Sequence, residues 1–191
     1  RIPDFRAIKT RLGKELKEFD FPWKRGETAA GIVRSLLDMQ NEPVSDTRLS
    51  EMFSISAKEM EKGRSITQAS IVGAGYRESS KSEDLTVFLS SRSKPGRRFA
   101  MLRIIGDHLA FNNEDSVLPA TESKTARQKF QRAFAQEFFC PFRALDKYLG
   151  ADDLTDSRIE DAAEHFKVSP LLIKSTLVNK GKLNRMALEE Q

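Results

Sequence analysis

Apolar residues along this chain fall mostly at helical intervals. In residues 5–18, Phe5, Ile8, Leu12 and Leu16 recur every three or four positions among five basic side chains, which predicts an amphipathic helix. The run Phe19-Asp20-Phe21-Pro22-Trp23 interrupts it. A second helix is predicted over 27–39, with Ala30, Val33, Leu36 and Leu37 on one side and Glu27 as an acidic start. A short third helix follows over 46–53, capped by Ser45 or Asp46, and then a turn over 56–61 that stops at Gly63. The pattern changes at 65–76, rich in Ile, Ser, Ala and Gly, and at 85–89, Leu-Thr-Val-Phe-Leu. These predict two strands joined by a polar stretch over 77–84. Residues 90–96 read as a polar Pro/Gly loop. Helical spacing returns over 98–111, through Phe99, Leu102, Ile105 and Leu109, and over 126–139, where Phe130, Phe134 and Phe138 form a core stripe. Residues 112–123 read as a long acidic-polar loop, and Pro141 ends the second of these helices or opens a new turn. Helices over 156–166 and 171–179, joined through Val168-Ser169-Pro170, form a helix-turn-helix-like tail with Gly181 as its stop. The sum is a mostly helical α+β domain with a small sheet.

Composition narrows the chemistry. A chain of 191 residues buries a core without disulfide or metal staples. With 39% hydrophobic and 31% charged residues it belongs to the globular class. The net charge of +4 permits nucleic-acid contact without demanding it. The single cysteine, Cys140, excludes an internal disulfide framework and a cysteine-based zinc module, and reads as a small core residue. Two histidines, His108 and His165, exclude a site needing three. The first reads as structural, the second as a capping or packing residue near a helix end. No apolar run approaches the roughly 20 residues of a membrane span, and the N-terminus shows no signal pattern, so the expected compartment is the cytoplasm. The first residue is Arg1, not Met, which suggests a piece of a longer protein. Gly73-Ala74-Gly75 supplies a G-x-G, but Glu78 stands where a third glycine is needed, so nucleotide binding is discounted.

Two stretches can be read as helix-turn-helix units, 44–62 and 159–182, although the preferred reading is that both simply pack the domain. In the second, Lys174, Ser175, Asn179 and Lys180 would face the bases, a thin set for a reader helix. The basic helix over 5–18 reads as a solvated face.

A more specific signal lies in Arg97-Arg98-Phe99-Ala100-Met101-Leu102-Arg103-Ile104-Ile105-Gly106-Asp107-His108-Leu109. It resembles the helix R-F-x-x-A-H-E-x-G-H-L-L of the ImmA/IrrE family of metallopeptidase-like proteins. Arg127 to Pro141 is similar to that family's second helix, E-x-x-A-N-x-F-A-x-x-L-L-x-P. The resemblance covers about residues 22–184 and implies a zincin-like fold: residues 1–20 a helix leading in from upstream, and 21–191 the domain, closed by the helix-turn-helix-like unit at 155–184. In the family, two histidines one turn apart hold zinc and the adjacent Glu is the general base. Here the first His position is Arg103, the Glu position Ile104, the second His position Asp107 and the second-helix acid Gln128. A frame shifted by one puts His108 at the second ligand but Ile104 at the first, and makes no site either. A guanidinium cannot ligate zinc.

The expectation is therefore a peptidase-like scaffold without the peptidase, with no catalytic residue, metal or cofactor. Arg103 and Asp107, at i and i+4, are expected to pair, with Gln128 bonded to one of them. Together with His108 they would line the old cleft. The implied role is a binding or sensing module in transcriptional regulation, with a regulator protein or peptide as partner, such as a fused or neighbouring helix-turn-helix repressor. Two alternatives stay open: an active zinc peptidase with ligands from Asp107, His108, Glu122 and Glu137, and direct DNA binding through the C-terminal unit.

Overall fold

The computed structural model describes residues 5–53, 71–78, 85–91, 93–111, 115–151 and 153–188. Along them run α1 (Phe5–Glu15, continued by a 3-10 turn at Leu16–Glu18), α2 (Pro22–Leu36), α3 (Asp46–Phe53), β1 (Ile71–Tyr76), β2 (Thr86–Leu89), α4 (Lys94–Ala110), β3 (Val117–Thr121), α5 (Ala126–Phe139), α6 (Phe142–Leu149), α7 (Asp156–Phe166) and α8 (Pro170–Asn179), with a last 3-10 turn at Arg185–Leu188. The three strands form one antiparallel sheet, in the order β2-β1-β3. The fold is α+β, as the pattern of spacings predicts. The predicted turn at 56–61, the strand residues 65–70, the 44–62 unit beyond residue 53 and most of the 77–84 connection lie outside the described residues.

Helix α4 is the axis of the molecule. Nearly every side chain from Arg97 to Leu109 is buried, polar ones included. One side meets α5, where Phe130, Phe134 and Phe138 stack in series with ring centroids 6.3 and 5.8 Å apart. Another meets α1, whose Ile8 and Leu12, with Leu16, join the same core. A third carries the sheet. There Ile104, Leu118 and Ala120 make a small second core, and Gly75 lets it close: a Cβ on Gly75 would stand 2.5 Å from Ile104 Cγ2. The G-x-G of β1 thus serves close packing of sheet on helix. Helix α2 crosses α5 just as closely, at Gly26.

Five local features differ from the prediction. Helix α2 begins at Pro22, not near Glu27, because proline suits the first helical turn and Phe21 is already extended. It ends at Leu36, before the positive-φ residues Asp38 and Gln40. Helix α4 starts at Lys94: the Ser93 side chain accepts from Gly96 N at 3.2 Å, so the predicted 90–96 loop holds a cap and the helix's first turn. The predicted 112–123 loop contains β3, and Pro141 is followed by the unpredicted helix α6. At the C-terminus, Ser169 caps α8 with Pro170 in its first turn.

Candidate functional site

A groove of about 1060 Å³ opens over the first half of α4, the outer face of α5 and one face of α8 along its length. Arg103 reaches it from α4, Lys129 and Arg132 from α5, and Ser175, Asn179 and Lys180 from α8. Trp23, Phe99 and Leu171 supply apolar surface, and Trp23 and Leu171 are half exposed at 48% and 49%.

Arg103 is a buried charge at this groove, only 4% exposed; Arg98, at 5%, is another and is paired with Asp46. Its Nη2 donates to Gln128 Oε1 and to the Thr121 carbonyl, both at 2.5 Å, while its Nε has no partner among the described residues. Arg132 converges on the same carbonyl from α5, at 3.5 Å, and donates to Ser123 O at 2.9 Å. Burial, reinforced by the neighbouring Arg132 charge, pulls Arg103 down to about 10; exposed Glu122 works the other way. Burial also lowers Arg132. Among the described residues neither guanidinium has an ion pair.

These donors also finish the sheet. In β3 the outward-facing residues are Pro119 and Thr121, since Leu118 and Ala120 face β1 and α4. Pro119 has no N–H to offer, and its carbonyl accepts from Gln128 Nε2 at 2.8 Å and Gln131 Nε2 at 3.1 Å. Thr121 N donates to Gln128 Oε1 at 2.9 Å. The outer edge of β3 is therefore occupied by side chains from α4 and α5, and another strand cannot add there without displacing them.

The expected Arg103–Asp107 pair does not form. Asp107 is fully buried and bound instead to Arg127, whose Nε reaches both carboxylate oxygens at 2.8 and 2.9 Å and whose Nη2 reaches Oδ2 at 2.7 Å. The fork of α5's Arg127 meets the carboxylate edge-on, which an arginine one turn away on the same helix cannot match. Burial raises the Asp107 pKa, against the pull of Arg127. His108 lies elsewhere too: its Nε2 is 3.1 Å from Lys9 Nζ on α1, and its pKa is lowered to about 4 by burial and then by Lys9 and Arg77. Of the four expected cleft residues, Arg103 and Gln128 meet; Asp107 and His108 serve other contacts. Ile104 is buried under the sheet.

The alternative zinc ligands do not come together either. Glu137, near the end of α5, accepts from Phe142 N at 3.2 Å, and burial raises its pKa. Among the described residues no three His, Cys, Asp or Glu side chains gather around a common point. At the position of the first zinc ligand stands a cation, so the residues present do not fit the metal that the resemblance implies. Of the reader-helix residues, Lys174 is ion-paired with Asp156 at 3.0 Å and Lys180 with Glu27 at 2.7 Å, while Ser175 bonds back to Leu172 O. His165 stacks on Tyr148 with centroids 4.3 Å apart, a packing role. Cys140 is buried in the core, which pushes its thiol up.

Arg132, Lys129 and Trp23 were not among the expected site residues. The first two could have been found in the sequence, because Lys129, Arg132 and Gln136 recur at helical spacing opposite the Phe130-Phe134-Phe138 stripe. No described helix is long and apolar enough to cross a membrane. Neither a protein family, nor a curated protein, nor a solved structure matches this chain.

Proposed function

We propose that this chain is a non-catalytic, ImmA/IrrE-like binding or sensing domain acting beside a helix-turn-helix regulator, on a zincin-like scaffold whose metal position is filled by an arginine. The observation that carries this reading is the meeting of Arg103 and Gln128 at 2.5 Å. Two residues 25 positions apart, aligned by motif with the first zinc ligand and the second-helix acid, come together at one point between α4 and α5. The frame shifted by one has no such support, because His108 faces α1. A general base is also missing, since Ile104 has no proton to exchange and no exposure. What remains is a groove with cationic donors on its floor and apolar residues at its rim, which is the make-up of a recognition site.

The test is to rebuild the ligands. Wild-type protein, dialysed against zinc and analysed by mass spectrometry, is expected to retain far less than one ion per chain. Arg103→His combined with Asp107→His and Gln128→Glu is expected to retain about one, because position 107 lies one helical turn from position 103 on α4 and position 128 meets position 103. Stoichiometric zinc in the wild type, or a folded triple variant that binds none, would overturn the assignment of the scaffold.

A further inference from the structure

We propose that the groove binds a small amphipathic anion, with its phosphate or carboxylate headgroup held by Arg103 and Arg132 and its apolar body laid against Phe99, Leu171 and Trp23. This deepens the reading of the groove as a recognition site and rests on it. The first observation is the state of Arg103. A side chain buried to 96% keeps its positive charge with no carboxylate bonded to it among the described residues, and its Nε has no partner among them. A buried cation without a counter-charge costs stability, and one lining a cleft marks a candidate functional site. The second observation is convergence. Arg132 brings a second guanidinium to the same carbonyl oxygen, so two like charges lie side by side. An oxyanion between them relieves the repulsion and accepts from planar donors, the geometry guanidinium groups recognise best.

The charges of the wall agree. Among the described residues Arg98, Arg103, Lys129, Arg132, Lys167 and Lys180 line the groove, against Glu27 and Glu122. Arg98 is held by Asp46 at 3.2 Å and Lys180 by Glu27 at 2.7 Å. Four cations remain, Lys167 and the group of Arg103, Lys129 and Arg132. Exposed Glu122 is the carboxylate that acts on both arginines, and a ligand anion would compete with it. Trp23, Val72, Phe99, Leu171 and Leu172 add apolar lining, and a volume of about 1060 Å³ has room for a headgroup with a hydrocarbon body.

The chain carries its own reporter, because Trp23 at the rim is its only tryptophan. Emission from Trp23 is followed while the protein is titrated, below the micellar concentration, with decyl phosphate, decanoate, decanol and inorganic phosphate. Decyl phosphate or decanoate, whichever headgroup the site prefers, is expected to change the emission saturably and to bind at least about tenfold more tightly than decanol or inorganic phosphate. The tighter of the two anions identifies the headgroup. Arg132→Gln is expected to weaken the anion about tenfold while leaving decanol unchanged, and Glu122→Gln to tighten it. Arg103→Gln should act more strongly; should it unfold, the half-exposed Arg132 and Glu122 carry the test. Equal binding of decanol and the anions, no effect of Arg132→Gln, or no saturable change in emission would overturn the proposal. Zinc content is measured separately, so a zinc-free wild type that ignores these anions defeats this inference alone.

Discussion

His108 shows how far a side chain's meaning depends on its neighbours. By residue type it is a candidate ligand or proton carrier. In place, Lys9 donates to its Nε2, so the ring is neutral with its proton on Nδ1, which finds no partner among the described residues. Burial, Lys9 and Arg77 all oppose a second proton and hold its pKa at about 4, below the ordinary 6.5. The sign of the linkage follows. Between pH 6.5 and 4 the unfolded chain binds a proton here that the folded chain does not, so this residue lowers stability as pH falls through that window. The loss is on the order of 3 kcal/mol across the window. His108→Gln keeps an acceptor for Lys9 but does not titrate. Urea unfolding at pH 7 and pH 4.5 should show a smaller acid loss in the variant than in the wild type. The comparison isolates this residue, because Asp107 and Glu137, whose raised pKa values act with the opposite sign, are present in both proteins. Equal acid losses would contradict the buried neutral ring.

At the scale of the element, the closest contact is the crossing of α2 and α5. A Cβ on Gly26 would stand 2.5 Å from the Phe130 carbonyl oxygen and 2.9 Å from Phe134 N, so backbone would have to move. Gly26→Ala is expected to destabilise by about 3 kcal/mol or more, although alanine is the better helix former. Gly13 is the contrast: it lies in α1 with nothing within 4 Å of its Cβ direction, and Gly13→Ala should stabilise by roughly 0.5–1 kcal/mol. Thermal melts of the two variants should move in opposite directions. This crossing also marks what the sequence could and could not reveal. The spacing of Phe130, Phe134 and Phe138 announced α5, and Ser169-Pro170 announced the start of α8, because periodicity and caps are local signals. Gly26 fell just outside the helix predicted over 27–39, because its reason is a tertiary contact. Strand β3 was hidden for a similar cause: Pro119 normally breaks a strand, and it is tolerated here because its missing N–H faces the outer edge. In the site, motif order placed Arg103 beside Gln128. It could not show that Asp107 would be taken by Arg127, since that choice depends on the rotation of α5 against α4.

For the whole molecule, the decisive question is whether residues 5–18 belong to the fold or merely lead into it. Their basic face and their position at the start suggested a connecting helix. Yet Ile8, Leu12 and Leu16 are at most 4% exposed and share one core with Ala30, Leu102 and Phe134. Phe5 stacks on Phe53 at 5.9 Å, and Lys9 meets His108, so α1 touches both α3 and the buried axis α4. Removing it would bare the faces of α2 and α4 that it covers. Three fully buried aliphatic side chains contribute roughly 1.5–3 kcal/mol each, and the sum rivals the roughly 5–15 kcal/mol that holds an ordinary domain together. A chain beginning at residue 21 is therefore expected to lose its cooperative melt or to unfold at least about 15 °C below the full chain, with increased binding of a hydrophobic dye. Ile8→Ala with Leu12→Ala in the full-length chain should move the melt in the same direction by a smaller step, since two cavities replace the loss of the whole helix. A truncated chain that melts as sharply and as high as the intact one would show that α1 packs on the domain without supporting it, and residue 20 would then be a true boundary.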